Sequence, residues 1–492
     1  MKSNGMSRRE FLGAGAVALG AAGMVRWVNA GEGRLVPAPV GGPPVRIAKI
    51  YFGTPHPGWP KATVDLAAEH ARVEKEMRKV AAGLPDVEFL DCGLVSSSKE
   101  LSRLQPLLKK ADGILILQLT MGMGWGKDGI LPRLLETGLP TVLFAEPYCG
   151  HEWHTVASFQ RLGKKLDCWA SSRFEDVAAA IRPIRAARRL RDAKILYISP
   201  RPLDPNYARL IREKFGTQII ALTAKQLEAA YQAIPETAAA TDAETWMANA
   251  EKIVEPSRQD IFKAARMALA VEKLTRDHQA AAIAIDCLAM GLIQKGMGYP
   301  CFGFSRLNSM GLGGICEADL KSAMTHLIFL YLTGRPGFIN DPCFDYSNKT
   351  MICAHCVAAV KMLGPEGPTH PYIIRSHLED DKSAVLQVRL PASGPVSMAR
   401  LIGADILLFS TGEAVDSPLV DRGCRSKVTV KLERPEKFLE NWSCGLHRVI
   451  FYGDHTRDIE RFCRLMNIRL VREGTDEPQK VKGLEWKPVV HA

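Results

Sequence analysis

The chain has 492 residues, about three times the size of a typical single domain, so two or three domains are expected. Hydrophobic residues make up 47% and charged residues 24%, which excludes a disordered or low-complexity chain. No apolar run reaches the roughly 18 residues that a membrane span needs. The net charge is +11, but the basic residues are scattered and lack interleaved aromatic residues, so nucleic-acid binding is not supported.

Residues 1–30 have the pattern of an export signal. Arg8 and Arg9 precede a Gly- and Ala-rich apolar stretch, and residues 28–30 (VNA) have the small side chains of a cleavage site. This order of features resembles a twin-arginine (Tat) signal. We therefore expect recognition by the Tat translocation machinery and export to the periplasm or another extracytoplasmic space. Residues 31–44 are predicted to be a flexible lead-in.

From residue 45 onwards, short apolar runs alternate with amphipathic segments, a pattern that predicts doubly wound α/β domains. The first domain, 45–190, has predicted strands at 45–52, 87–91, 113–119 and 140–146, and predicted helices at 63–84 and 173–193. The second domain, 191–340, has predicted strands at 194–199, 217–223 and 281–287, and predicted helices at 204–215, 224–235 and 256–276.

After about residue 340 the β-like runs are shorter and are separated by Pro, Gly, Asp and Ser. This pattern predicts a mainly antiparallel, β-barrel-like C-terminal domain over 341–473, closed by an amphipathic helix and a final strand. Residues 474–492 are predicted to be a polar tail. The predicted fold class is thus α/β, with two doubly wound α/β domains followed by this β-rich domain.

The twelve cysteines are irregularly spaced, and several lie within apolar runs, so most are predicted to be buried, unpaired thiols. For Cys353 and Cys356 an alternative stays open, in which they form half of a metal site or a redox pair. For the basic stretch 182–194, a solvated helix face is favoured over an anion contact. Residues 122–129 (GMGWGKDG) lack a phosphate-binding fingerprint and are predicted to be a plain loop.

The stretch between Pro300 and Cys356 carries the candidate chemistry. Glu317 follows a Gly-rich turn and opens a helix, where an acidic residue is favourable by itself. Asp341 stands before a proline, and His447 precedes a predicted strand, so each has an ordinary structural explanation. In combination, two carboxylates and an imidazole suit Mn²⁺, Fe²⁺ or Co²⁺ better than Ca²⁺, and they leave positions open for a chelating substrate.

Residues 300–356 and 444–470 resemble the L-fucose isomerase family, in the wider group that includes L-arabinose isomerase. The similarity lies in SRLNSMG-x-GGICEADL, in the small-residue helix after it, in a D-P-x-x-D stretch and in H-x4-YG before an amphipathic helix. The resemblance implies two α/β domains and a β-barrel-like domain, with the active site between the second and the third. It also implies that Glu317, Asp341 and His447 hold Mn²⁺.

The resemblance further implies aldose–ketose isomerisation through a cis-enediol. Glu317 and Asp341 are the expected catalytic residues, and one of them would move the proton between C1 and C2 of a small sugar. Arg306, Asn308 and His355 are candidates for substrate contact. Arg306 and Asn308 are expected in the loop before Glu317.

Two alternatives stay open. One is a non-catalytic sugar-binding protein on an isomerase fold, and the other is a metal-assisted epimerase or dehydratase that acts on a sugar or sugar acid. Family members commonly form trimers or hexamers, so the resemblance implies a homo-oligomer. Export of the folded chain would allow Mn²⁺ to be loaded before zinc or copper compete for the site.

Overall fold

A computed structural model describes residue 481 and residues 43–475, apart from 125, 127 and 152. The predicted Tat signal, almost all of the lead-in and almost all of the polar tail lie outside the described residues. Within the part of the chain that is described, no helix is long and apolar enough to cross a membrane.

A five-stranded parallel sheet forms the N-terminal part, in the order β2-β1-β3-β4-β5. The strands are β1 (Val45–Phe52), β2 (Val87–Val95), β3 (Gly113–Gln118), β4 (Thr141–Ala145) and β5 (Leu166–Ala170). The helices are α1 (Leu66–Ala82), a 3₁₀ helix (Ser98–Leu104), α2 (Gln105–Leu108), α3 (Ile130–Leu135), α4 (Trp153–Arg161), α5 (Asp176–Ala180) and α6 (Arg182–Asp192). Alternate residues of β1 belong to two apolar clusters, so helices cover both faces of the sheet.

The predicted helix at 173–193 is instead the two helices α5 and α6. Pro183 lies in the first turn of α6, where a missing N–H costs nothing because that group has no partner within a helix. Strand β5 and helices α3 and α4 were not predicted. Asp167 interrupts the apolar run of β5, and helices of six and nine residues are too short for periodicity to identify.

A second parallel sheet has the order β10-β9-β6-β7. Its strands are β6 (Lys194–Ile198), β7 (Gln218–Leu222), β9 (Ala282–Ile285) and β10 (Gly313–Cys316), and the short β8 (Lys252–Ile253) pairs elsewhere. The helices are α7 (Pro205–Phe215), α8 (Ala224–Gln232), α9 (Glu236–Asn249), α10 (Arg258–Asp277), α11 (Cys301–Ser309) and α12 (Leu320–Thr333). Helix α12 is buried along most of its length, which explains its strongly apolar sequence.

Strand pairing changes from parallel to mostly antiparallel between β10 and β11, near the predicted boundary at residue 340. The C-terminal elements are β11 (Phe338–Asp345), β12 (Thr350–His355), β13 (Tyr372–Arg375), β14 (Val385–Val388), β15 (Gly394–Ile402), β16 (Ile406–Asp416), β17 (Ser426–Lys431), a 3₁₀ helix (Pro435–Cys444), β18 (Arg448–Tyr452), α13 (Thr456–Met466) and β19 (Arg469–Arg472). The main sheet has the order β15-β18-β11-β12-β17-β16-β19. A small sheet of β14, β13 and β8 joins this part to the preceding one.

The basic stretch at 182–194 is not the solvated helix face that its sequence predicted. Four arginine side chains of α6 are at most 15% exposed, since they form ion pairs inside the protein. The pairs of α6 are Arg185 and Arg189 with Asp86, Arg188 and Arg191 with Asp112, and Arg182 with Asp458. The stretch therefore joins the N-terminal sheet to helix α13.

Asp167 of β5 is expected to be important for the same junction. Its side chain is 3% exposed and accepts hydrogen bonds from Arg461 and Arg464 of α13. Asp167→Asn leaves the buried Arg461 without its anion, so we expect the free energy of unfolding to fall by about 3 kcal/mol. Urea denaturation measures the loss.

The control for Asp167→Asn is Glu460→Gln on the same helix. The ion pair of Glu460 with Arg472 is exposed, at 42% and 30% of the two side chains, and its loss is expected to cost no more than about 0.5 kcal/mol. Equal losses for the two variants would contradict a role for the buried pair.

The cysteine prediction is confirmed. All twelve cysteines are described and unpaired, and all but Cys168 and Cys343 are buried. Cys353 and Cys356 lie at β12 with exposures of at most 2%. Among the described residues, no group of three or more metal-type ligands includes either thiol.

Candidate metal centre

Four side chains converge where the second parallel sheet meets the C-terminal strands. Glu317 follows β10, Asp341 lies in β11, His355 ends β12 and His447 immediately precedes β18. One ligand atom from each of the four lies within 4.8 Å of each of the others. The three residues with a predicted metal-binding role are therefore brought together, and His355 joins them.

A strained turn presents Glu317. Strand β10 ends at Cys316, and the next two residues, Glu317 and Ala318, have left-handed φ angles of 55° and 51°. Such a conformation costs roughly 1 to 3 kcal/mol for a residue other than glycine. The turn lies at the carboxyl end of a parallel strand, where open α/β sheets place their ligands.

Strand register places the other three residues side by side. Strand β11 lies between β18 and β12. Asn340 pairs with Arg448 across one edge, and Asp341 pairs with Ala354 across the other. Asp341 therefore lies between His447, which precedes Arg448, and His355, which follows Ala354.

The distances leave room for an ion at the centre. Nε2 of His447 lies 3.2 Å from Asp341 Oδ1 and 3.5 Å from Glu317 Oε2. Nε2 of His355 lies 3.8 Å from Glu317 Oε1 and 3.9 Å from Asp341 Oδ2. The imidazoles are about 5% exposed, whereas the Glu317 and Asp341 side chains are 42% and 32% exposed. The cluster therefore opens to solvent on its carboxylate side.

Glu317, Asp341 and His447 fit a divalent cation. Nε2 of both histidines is buried without a hydrogen-bond partner, and such orphaned atoms are rare in native proteins. Two carboxylates that share a site also repel each other, and a cation would relieve this repulsion. Ligand bonds of about 2.0 to 2.2 Å are compatible with the separations.

Asp319 supports His447, and its role here was not predicted. Its Oδ2 accepts hydrogen bonds from His447 Nδ1 at 2.9 Å and from Arg400 Nη1 at 2.8 Å. Its Oδ1 caps helix α12 by accepting from the backbone N–H groups of Lys321 and Ser322. The sequence signal, an acidic residue at the start of a helix, indicates only the cap, because Arg400 and His447 are distant along the chain.

The charges of the cluster shift its pKa values in opposite directions. Burial raises the pKa of Glu317; His447 opposes this rise, and the negative charges of Asp341 and Asp319 add to it. Burial also opposes ionisation of Asp341, but His447 and His355 hold its pKa below the usual range. Burial disfavours charge on His447, yet Asp319 and Asp341 raise its pKa to about 10. Burial lowers the pKa of His355 to about 4, so this imidazole is neutral at pH 7.

Arg306 lies on helix α11, not in the expected loop, and its contacts lie outside the four-residue cluster. Its guanidinium pairs with Asp242 at 2.5 Å and with Glu272 at 3.4 Å. It also stacks over the ring of Trp246. These contacts give Arg306 a role in packing α11 against α9 and α10.

Asn308 is also on α11, and its side chain is fully buried. Its amide nitrogen donates to the carbonyl groups of Gly314 and Val357, and its amide oxygen accepts from the Gly314 N–H. These bonds tie α11 to β10 just before Glu317. The described contacts of Asn308 therefore stabilise the backbone of the strand that leads to Glu317.

Arg448 follows His447 in sequence but points away from the cluster. Its guanidinium forms a fully buried ion pair with Glu473 at 2.9 Å and lies over the ring of Trp442. A bulky cation beside His447 therefore does not obstruct the four converging side chains.

No family model matches the chain, and no curated protein matches it. The resemblance to the L-fucose isomerase family therefore stays an interpretation of the motifs.

Proposed function

We propose that the protein is an exported, metal-dependent carbohydrate enzyme, most simply an aldose–ketose isomerase that acts through a cis-enediol. The observation that carries this proposal is the convergence of Glu317, Asp341 and His447, beside His355, from two separate parts of the fold. In the proposal the first three residues hold Mn²⁺, or Fe²⁺ or Co²⁺. A small sugar binds on the exposed carboxylate side.

The proposed chemistry divides between the ion and the chain. A bound divalent cation supplies Lewis acidity to a sugar carbonyl and its neighbouring hydroxyl. A carboxylate of the chain removes the proton from the carbon beside the carbonyl and returns it to the former carbonyl carbon. Glu317 is the better placed of the two carboxylates, since its side chain is the more exposed to an incoming substrate.

The finer architecture is part of the same proposal. Strands β15, β18, β11, β12, β17 and β16 each pair with the next, and β16 pairs with β15. We infer from this circuit a six-stranded, barrel-like C-terminal domain. Tat export, periplasmic location and a homo-oligomeric assembly are proposed on the sequence resemblance.

Metal removal and return test the proposal. After treatment with a chelator, the full chain is expected to bind one Mn²⁺ with a rise in Tm, because a ligand present at about 100 times its Kd stabilises a fold by about 2.7 kcal/mol. The charged His447, whose pKa is raised to about 10, must lose a proton to act as a ligand. Mn²⁺ affinity is therefore expected to rise with pH up to about pH 10.

In the metal-free protein the raised pKa of His447 makes the fold less stable, not more stable, as the pH rises. The stabilisation that protonated His447 contributes is complete below its unfolded-state pKa of 6.5. It is lost as the pH rises through its folded-state pKa of about 10. Calorimetry with Mn²⁺ and denaturation at several pH values measure both effects. Absence of Mn²⁺ binding would overturn the proposal.

A panel of aldoses and ketoses then identifies the reaction. Interconversion of an aldose and its ketose supports the isomerase. Inversion at one carbon or loss of water identifies an epimerase or a dehydratase, and sugar binding without turnover identifies a non-catalytic binding protein.

A further inference from the structure

The two histidines of the cluster differ in what their Nδ1 atoms contact. Nδ1 of His447 lies 2.9 Å from Asp319 Oδ2. A carboxylate that is also bound to Arg400 accepts hydrogen bonds, so the His447 Nδ1 carries a proton. When the ring is neutral, its Nε2 therefore has a free lone pair, which is what a metal ligand requires.

His355 has the reverse arrangement. Its Nδ1 accepts a hydrogen bond of 2.9 Å from the backbone N–H of Cys356. A backbone N–H can only donate, so this Nδ1 holds the lone pair and the neutral ring carries its proton on Nε2. A protonated Nε2 has no lone pair for a metal ion.

A rotation of the His355 ring by about 180° could offer a nitrogen to the metal only at the cost of the hydrogen bond from Cys356. Turning the ring over would replace the acceptor Nδ1 with a carbon and leave the N–H of Cys356 unpaired. Cys356 is 2% exposed, and native proteins rarely leave a buried N–H without an acceptor. The tautomer of His355 is thus held by the backbone of the neighbouring residue.

We infer that His355 is a fixed hydrogen-bond donor to a substrate oxygen at the metal site, and not a fourth metal ligand. This inference rests on the proposed function. Nε2 of His355 is buried and has no partner, and both carboxylates are at least 3.8 Å away. A substrate oxygen that enters between them would accept its N–H.

The donor indicates the class of substrate. The oxygen must be a carbonyl or hydroxyl acceptor adjacent to the oxygens that bind the metal, as in a hydroxy-carbonyl compound. A neutral imidazole N–H is suited to polarising a carbonyl, because it donates without first taking up a proton. His355 would then hold the carbonyl end of the sugar while a carboxylate moves the proton.

The first test reads the tautomer directly. The protein is labelled with ¹⁵N-histidine, and its metal-free form is studied by NMR. The His355 ring is expected to show a protonated Nε2 and an unprotonated Nδ1, with His355→Gln used to assign the signals. A proton on Nδ1 alone would overturn the inference, whether or not the protein binds metal.

The second test compares Mn²⁺ binding by His355→Gln and His447→Gln. We expect His447→Gln to lower Mn²⁺ affinity by at least about 100-fold, the upper end of the loss caused by removing a ligand's supporting contact. His355→Gln is expected to retain the Mn²⁺ affinity within about threefold. Its kcat is expected to fall, but only in part, because the Gln amide also donates a hydrogen bond. Pulsed EPR of bound Mn²⁺ is expected to detect one imidazole nitrogen in the wild type and in His355→Gln.

The control for these variants is His278→Gln, at the end of α10, whose ring contacts only the Leu274 carbonyl in the described contacts. It is expected to retain both affinity and activity. Two coupled nitrogens in the wild type, or equal metal loss in the two cluster variants, would overturn the inference while leaving the metal enzyme intact. Failure of the wild type to bind Mn²⁺ would instead overturn the proposed function.

Discussion

Replacement of Glu317 by Gln is expected to abolish most of the activity and Mn²⁺ affinity while the protein remains folded. The amide has nearly the same shape but has no charge to bind the cation and cannot take up a proton. General acid–base catalysis alone contributes about 10²- to 10⁴-fold, so we expect kcat/KM to fall by at least about 10³-fold. The measurements are the sugar assay and Mn²⁺ calorimetry.

The free energy of unfolding of the metal-free Glu317→Gln protein, in contrast, is not expected to fall. Burial and the negative charges of Asp341 and Asp319 raise the pKa of Glu317, so its ionised form is disfavoured in the metal-free fold. Removal of that charge should leave the free energy of unfolding at pH 7 unchanged or slightly higher. Urea denaturation of the metal-free protein would reveal a structural role as a clear loss of stability.

The control for Glu317→Gln is Glu213→Gln on helix α7. Glu213 is 60% exposed and pairs with Arg209 one helical turn earlier, so its loss should change neither activity nor metal affinity. If Glu317→Gln retained full activity and one bound Mn²⁺, the ligand assignment would be wrong.

Asp319→Asn is expected to cause the largest loss of stability at the site. Its side chain pairs with Arg400, which is 5% exposed. Removing one partner of a buried ion pair costs about 3 to 5 kcal/mol, because the other charge remains buried. Asn still caps helix α12, since its amide oxygen can accept from Lys321 and Ser322. Loss of the carboxylate beside His447 should lower Mn²⁺ affinity by about 10- to 100-fold.

The pH dependence of unfolding distinguishes the contribution of this ion pair to stability from that of the helix cap. Burial opposes ionisation of Asp319, but Arg400 and His447 hold its pKa well below 3.8. A lowered carboxyl pKa contributes stability that is present above the unfolded pKa and is lost as the pH falls through the folded one. The difference in stability between wild type and Asp319→Asn is therefore expected to shrink below about pH 4.

Asp65→Asn is the matched control for the cap. Asp65 caps helix α1 with the same backbone conformation as Asp319, at φ −73° and ψ 94° against φ −73° and ψ 91°. It accepts from two backbone N–H groups in the same way. Asn is nearly as good a cap as Asp, so a change of no more than a few tenths of a kcal/mol is expected. Similar losses in the two variants would contradict the role of the Arg400 pair.

The parallel sheets were largely predictable from local patterns. The apolar runs at 45–52, 113–119 and 194–199 became β1, β3 and β6, with shifts of at most one residue at their ends. Strands that are buried on both faces need such continuous apolar runs. Asp167 interrupts the apolar run of β5, and the six residues of α3 are too few for a periodicity, so neither element was identified.

The candidate site was predictable only in its residue types. Glu317, Asp341 and His447 were singled out because two carboxylates and an imidazole match a hard divalent cation. Proximity in sequence was a poor guide to the remaining site residues. Arg306 and Asn308 are close to Glu317 along the chain, but helix α11 directs their side chains into other contacts.

The amino-acid sequence by itself determined the α/β character of the first two parts, the β-rich C-terminal part and the burial of most thiols. These features depend on hydrophobic periodicity, which acts over a few neighbouring residues. The tertiary structure alone decided that four side chains at or beside β10, β11, β12 and β18 meet, and that Asp319 contacts the imidazole of His447. Strand register and the packing of α12 set those contacts, and both depend on residues far apart in the chain.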